Sequence, residues 1–201
     1  MKEHPILFST EMVKAILEGR KTQTRRVLKP QPDRGGWWKV CTTIFDHNIS
    51  EFCPNGQVGD RLWVRETWAD MVCLASTEKG KGKGESNPIY KATADSTELK
   101  ILQGHWKPSI FMPRGASRIT LEITDIRVQR LQEISLEDCV NEGYPLGMPK
   151  WNETPNEKQI EISKVMRFAW YEGIWNSING KKYLWESNPY IWAITFKASK
   201  E

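Results

Sequence analysis

Residues 5–27 run Pro5-Ile6-Leu7-Phe8, then Ser9-Thr10-Glu11-Met12-Val13-Lys14-Ala15-Ile16-Leu17-Glu18-Gly19, then Arg20-Lys21-Thr22-Gln23-Thr24-Arg25-Arg26-Val27. Pro5 to Phe8 predicts a short strand. Over 9–19 the apolar residues Met12, Val13, Ile16 and Leu17 fall on one helical face, and Gly19 stands where a C-terminal cap belongs. Lys21 to Val27 reads as extended. Lys29-Pro30-Gln31-Pro32 ends it, because proline biases its predecessor away from helix.

Working outward, residues 33–58 are glycine-containing and irregular, with a strand expected around 38–45. Gly59-Asp60 is a turn signal, and 61–68 follows as a strand in which Leu62 and Val64 alternate with Arg61, Trp63 and Arg65. The lysine- and glycine-rich stretch 75–88 reads as a mobile hairpin tip between strands near 68–74 and 89–94. Ile119, Leu121 and Ile123 mark a strand over 117–128. Ser135 opens a short helix with Asp138 completing a capping box, and Glu142-Gly143 ends it. A longer helix is expected over 157–178, its apolar residues Ile162, Val165, Met166, Ala169 and Trp170. The last strand, 189–197, puts Tyr190, Trp192, Ile194 and Phe196 on one face. Strands without regular helical crossovers point to an α+β barrel or sheet, not a doubly wound fold.

Composition sets the outer bounds. The chain has 201 residues, 39% hydrophobic and 27% charged, enough for one ordinary domain with a proper core. No run of eighteen apolar residues is present, so no transmembrane helix is expected. The opening Met1-Lys2-Glu3-His4-Pro5 carries no apolar leader, and Cys41, Cys53, Cys73 and Cys139 make no tight pattern. Free thiols in a reducing cytoplasm are therefore expected. The net charge of +4 is too mild to define a nucleic-acid partner by itself. Ten tryptophans divide between core packing and flat surfaces on which bases stack.

Three features can carry chemistry. The run from Gly19 to Arg26 gathers Arg20, Lys21, Arg25 and Arg26 with the hydroxyls of Thr22 and Thr24 at one helix-to-strand junction. It reads either as a phosphate-holding cluster or as a solvated basic turn. Glu66 shares parity with Leu62 and Val64, so it points to their apolar side and either pairs with an arginine or lines a cleft. Glu142, at a helix C-terminus, opposes the helix dipole. Cys41, His47 and Cys53 fit no standard zinc spacing. No Walker loop, Rossmann glycine pattern, nucleophile elbow or His-Glu-x-x-His motif occurs.

Four blocks of the chain resemble ASCH domains: Ile6-Leu7-Phe8-Ser9 with the helix into Gly19 to Arg26; Gly59 to Trp68; the Ile134-Ser135 helix ending Glu142-Gly143-Tyr144; and Asn188 to Ile194. Together they cover about half of the chain. The longer form, with extra loops and a helix before the last strand, is similar to ASCH proteins of bacteriophages and prophages. The resemblance implies an α+β fold, a small PUA-like β-barrel with peripheral helices around a cleft. It implies one domain over 1–201 with insertions at about 67–112 and 145–182. It also implies RNA or a modified nucleoside as ligand. Some small members remove the acetyl group from N(4)-acetylcytidine, and RNA cleavage is another activity of the group.

Their Gly-Arg-Lys-Thr-x-Thr run falls on Gly19 to Thr24, making Lys21 and Thr24 catalytic candidates, and their helix glutamate falls on Glu142. In this reading a neutral Lys21 activates Thr24 or water, and Glu142 serves the leaving nitrogen. Arg20, Thr22, Arg25, Arg26, Trp63, Glu66 and Trp68 are the ligand-binding candidates. A non-catalytic RNA-binding module and a ribonuclease are the alternatives, with a protein-interaction module as a third class. No cofactor, metal or membrane is expected, and a monomer is.

Overall fold

The computed structural model describes residues 1–31, 52–70, 88–102, 105–145 and 157–199. The expected strand at 38–45, Cys41, Cys73, His47 and the predicted hairpin tip at 75–87 lie outside them. The elements run β1 (Glu3–Leu7), α1 (Thr10–Leu17), β2 (Gln23–Val27), β3 (Arg61–Arg65), β4 (Trp68–Asp70), β5 (Pro88–Tyr90), α2 (Ser96–Ile101), β6 (Thr120–Arg130), α3 (Leu136–Asn141), α4 (Glu157–Asn179) and β7 (Tyr190–Ala198).

Among the described residues, five strands form one sheet in the order β1-β3-β6-β7-β2. β1 and β3 are parallel; the other pairs are antiparallel. A parallel pair needs a crossover, which α1 and β2 begin. β4 and β5 form a separate two-stranded ribbon, Trp68 opposite Tyr90, where the hairpin was expected. The expected closed barrel is not seen among the described residues, since β1 and β2 end the sheet order unpaired with one another. They do approach: Arg26 Nη2 donates to the Leu7 carbonyl at 2.7 Å. Among the described residues the sheet is thus mixed, and this side-chain bond links its two terminal strands.

Both faces of the sheet are covered. On one, Leu62, Val64, Leu121, Ile194 and Phe196 pack with Val13 and Ile16 of α1. On the other, Ile191 and Ala193 pack with Leu131, Cys139 and the aromatic residues Tyr171 and Trp175 of α4. β7 therefore contributes to both cores, which explains its unbroken apolar run. α4 forms where the second helix is expected. Ile162 and Val165 are exposed, and the helix docks through Phe168, Tyr171 and Trp175, spaced three and four residues apart. These core contacts fall in the second half of the helix, and Arg167 just before them lies over the Tyr144 ring at 5.8 Å. No helix among the described residues is long and apolar enough to cross a membrane.

Candidate functional site

Two helix C-termini meet at the edge of β2. Ser9 caps α1 at its start, accepting from Met12 N, and Gly19 leaves the other end with φ +71°. That turn lets Arg20 N and Lys21 N both donate to the Ala15 carbonyl, at 2.9 and 3.0 Å. α3 begins with the Ser135–Asp138 capping box that the sequence predicts. It ends at Glu142, followed by Gly143 at φ +98°. The Thr22 amide donates to the Asn141 carbonyl at 2.8 Å, so Lys21 and Glu142 face each other in an isolated antiparallel bridge.

Their side chains close a buried ion network. Lys21 Nζ lies 2.6 Å from Glu142 Oε2, with side-chain exposures of 0% and 4%. It also donates to the Gln23 carbonyl at 2.8 Å and the Glu142 carbonyl at 3.1 Å. These three acceptors match the three donors of an ammonium group. Arg25 Nη1 donates to Glu142 Oε1 at 3.0 Å and to Gln23 Oε1 at 2.6 Å. Its Nη2 lies 2.9 Å from Asp138 Oδ2, and Asp138 also accepts from Arg127 at 3.2 Å. Two fully buried cations thus meet two nearly buried carboxylates. Carbonyls at helix C-termini favour cations, and Arg20 Nη1 takes another, Gly143 O, at 2.7 Å. The dipole penalty read for Glu142 is met by Lys21 and Arg25.

Burial pulls the Lys21 ammonium below its usual 10.5, while its Glu142 partner opposes that fall. Burial, with the Glu142 charge beside it, pushes the Tyr171 phenol well above 10. The Cys139 thiol rises to about 11 because it is buried, which leaves it an unreactive core group.

Glu142 borders a cleft of about 430 Å³ between α1 and α4, within the range of small-molecule pockets. Met12 and Ala15 of α1 face Trp170 and Ile174 of α4 across it, and Arg20 shares the Glu142 end. Lys21 sits behind Glu142, out of the lining. Gly143 holds the junction closed: a Cβ there would stand 3.0 Å from Ala15 Cβ and 3.3 Å from Lys21 Cβ, at a positive φ. Gly143→Ala is expected to cost about 1–3 kcal/mol, read as a lower urea midpoint. An unchanged midpoint would mean that the junction has slack.

The structure gathers Arg20, Lys21, Arg25 and Glu142. Thr22 joins through its backbone, its carbonyl accepting from Phe196 N at 2.8 Å. The buried Thr24 alternates with Gln23 and Arg25 along β2, so it takes the opposite face, in register with Ile194. Arg26 sits at the strand gap, 5.4 Å from the Phe8 ring. Lys21 and Arg25, read from the sequence as possible phosphate contacts, are buried and paired with internal acceptors.

Trp63, Glu66 and Trp68 lie around the end of β3. Both oxygens of Glu66 accept from Arg118, at 3.0 and 3.1 Å, and that guanidinium stacks 3.9 Å from the Tyr90 ring centroid. The arginine-pair alternative is the arrangement observed. Trp68 is buried against Met112 and Ala116, and Trp63 stands beside Arg65 and Arg114. Glu66→Leu should lower stability by about 1–3 kcal/mol by leaving Arg118 without its carboxylate partner. Equal denaturation curves would show the pair to be dispensable.

Gln23, Asp138, Trp170 and Tyr171 are the site residues that sequence reasoning missed. Gln23 was findable, since Lys21, Gln23 and Arg25 share parity in an extended segment. Asp138 was read only as a cap, and a single side chain does both jobs here.

No family model matches the chain, and no curated protein matches it. Among solved structures it is similar to an ASCH domain from Lactobacillus crispatus, at 12% identity and a TM-score of 0.37, covering 98% of this chain and 79% of that one.

Proposed function

We propose that this chain binds a modified nucleoside in the cleft between α1 and α4 and hydrolyses an amide on its base, of the N(4)-acetylcytidine type. The observation that carries the reading is the Lys21–Glu142 pair, 2.6 Å apart, shielded from solvent, with Glu142 at the cleft. These are also two of the three positions that the ASCH resemblance marks as catalytic. A buried ammonium–carboxylate pair exchanges its proton more readily than an exposed one, because low dielectric narrows the gap between its ionic and neutral forms.

Water adds to the amide carbonyl and passes a proton to this pair. The C–N bond then breaks, and the leaving nitrogen takes a proton back. Amide and water become an amine and a carboxylate, with one proton released to solvent. Arg25 holds the second oxygen of Glu142, which fixes the orientation of the carboxylate. Thr24 lies on the other face of β2, which favours water over its hydroxyl as nucleophile.

The test is chromatography of N(4)-acetylcytidine incubated with the purified chain, with Lys21→Ala alongside. Cytidine is expected with the unmutated protein and none above background with the variant. Equal conversion by both removes Lys21 from the chemistry. No conversion by a folded protein overturns the hydrolase reading and leaves ligand binding.

A further inference from the structure

The geometry points to Trp170, on the inserted helix α4, as the aromatic face on which the ligand's planar base stacks. This deepens the nucleoside reading above and rests on its assignment of the cleft, not on the reaction. The sequence offers Trp63 and Trp68 as the tryptophans among its ligand-binding candidates. Trp68 is buried under its own cluster, and Trp63 is flanked by two arginines. Trp170, among the described residues, is the tryptophan that lines the cleft bordered by Glu142.

Two tyrosines pack against its ring. The buried Tyr144, two residues after Glu142, meets the Trp170 ring edge-on at 5.2 Å and 83°. Tyr171 adds a tilted contact at 6.3 Å. An indole held on these sides loses little freedom when a ligand arrives, which favours binding. Across the cleft stand Met12 and Ala15, a flexible thioether and a methyl, suited to the second face of a flat ring. Polar groups gather at one end, at Glu142 and Arg20. The arrangement is that of a slot for a planar heterocycle with polar substituents on one edge.

One base–aromatic stack is worth ~5- to 150-fold in affinity. The test is calorimetric titration of the full chain with cytidine, which binds without chemistry, together with KM for N(4)-acetylcytidine. Trp170→Ala should weaken cytidine binding within that range. Trp170→Phe should stay within about threefold, because it keeps a π-face, while Trp170→Leu should resemble the alanine variant despite its apolar bulk. KM should follow the binding constant, with kcat carrying the smaller share of the change.

Leucine matching phenylalanine would overturn stacking in favour of simple packing, as would unchanged affinity in Trp170→Ala. Failure of the unmutated chain to bind cytidine would overturn it as well. Cytidine binding that depends on an aromatic residue at position 170, without any hydrolysis of N(4)-acetylcytidine, would retain this inference while removing the hydrolase.

Discussion

Replacing Glu142 with leucine is expected to lower the unfolding free energy by about 3–5 kcal/mol, the cost of breaking a buried ion pair by removing one partner. In a chain of this length that corresponds to a fall in Tm of about 6–20 °C. The cause is what stays behind. Lys21 and Arg25 have fully buried side chains, and Glu142 is the carboxylate they share. Asp138 continues to serve Arg25 but is no substitute for Lys21. Lys21→Met should cost less, since Glu142 keeps Arg25.

The double variant Lys21→Met/Glu142→Leu should be more stable than the sum of the single losses predicts, by about 0.5–3 kcal/mol, because it removes the cation that the first change stranded. Thermal and urea unfolding of the four proteins measure this cycle. Strict additivity would show that the two side chains are not energetically coupled. Lys21 also adds a pH dependence of known sign. Its folded value lies below 10.5 because of burial, so between that value and 10.5 the unfolded chain binds the proton more tightly. Its contribution to stability therefore rises with pH across that window, and Lys21→Met should flatten that rise.

Local patterns in the sequence carried much of the fold because the first helix, the Gly59-Asp60 turn and the Ser135 cap are set by neighbouring residues. Glycine at positive φ and a Ser–Asp capping box need no tertiary partner to be read. What was not legible depended on distant chain. β7 is apolar on both sides because α4 covers one of them, and alternation alone reported a single face. The docking face of α4 is set by Phe168, Tyr171 and Trp175, whereas Ile162 and Val165, apolar residues of the same helix, are exposed. The basic run around Lys21 is the sharpest case. As sequence it resembles a solvated or phosphate-facing turn; in the fold, two of its cations are internal because α3 brings two carboxylates to them. Charge type is local information, whereas burial is supplied by the partner element.

Glu142→Gln separates the proposed catalytic use of this carboxylate from its structural one. The amide keeps the shape of the side chain, but its oxygen accepts from one of the two cations while its NH₂ faces the other. The stability loss should be about 1–3 kcal/mol, below the 5–15 kcal/mol that holds a typical domain folded. The protein should therefore remain folded and able to bind cytidine. Turnover of N(4)-acetylcytidine should nevertheless fall by roughly 10²- to 10⁴-fold, the usual contribution of a positioned acid–base group, because an amide cannot cycle a proton between water and the leaving nitrogen. Rate, Tm and cytidine affinity measured on one preparation distinguish the cases. A rate loss with affinity preserved assigns Glu142 to proton transfer. Parallel loss of rate and affinity places it in binding alone, and turnover within tenfold of the unmutated chain removes the carboxylate from the reaction.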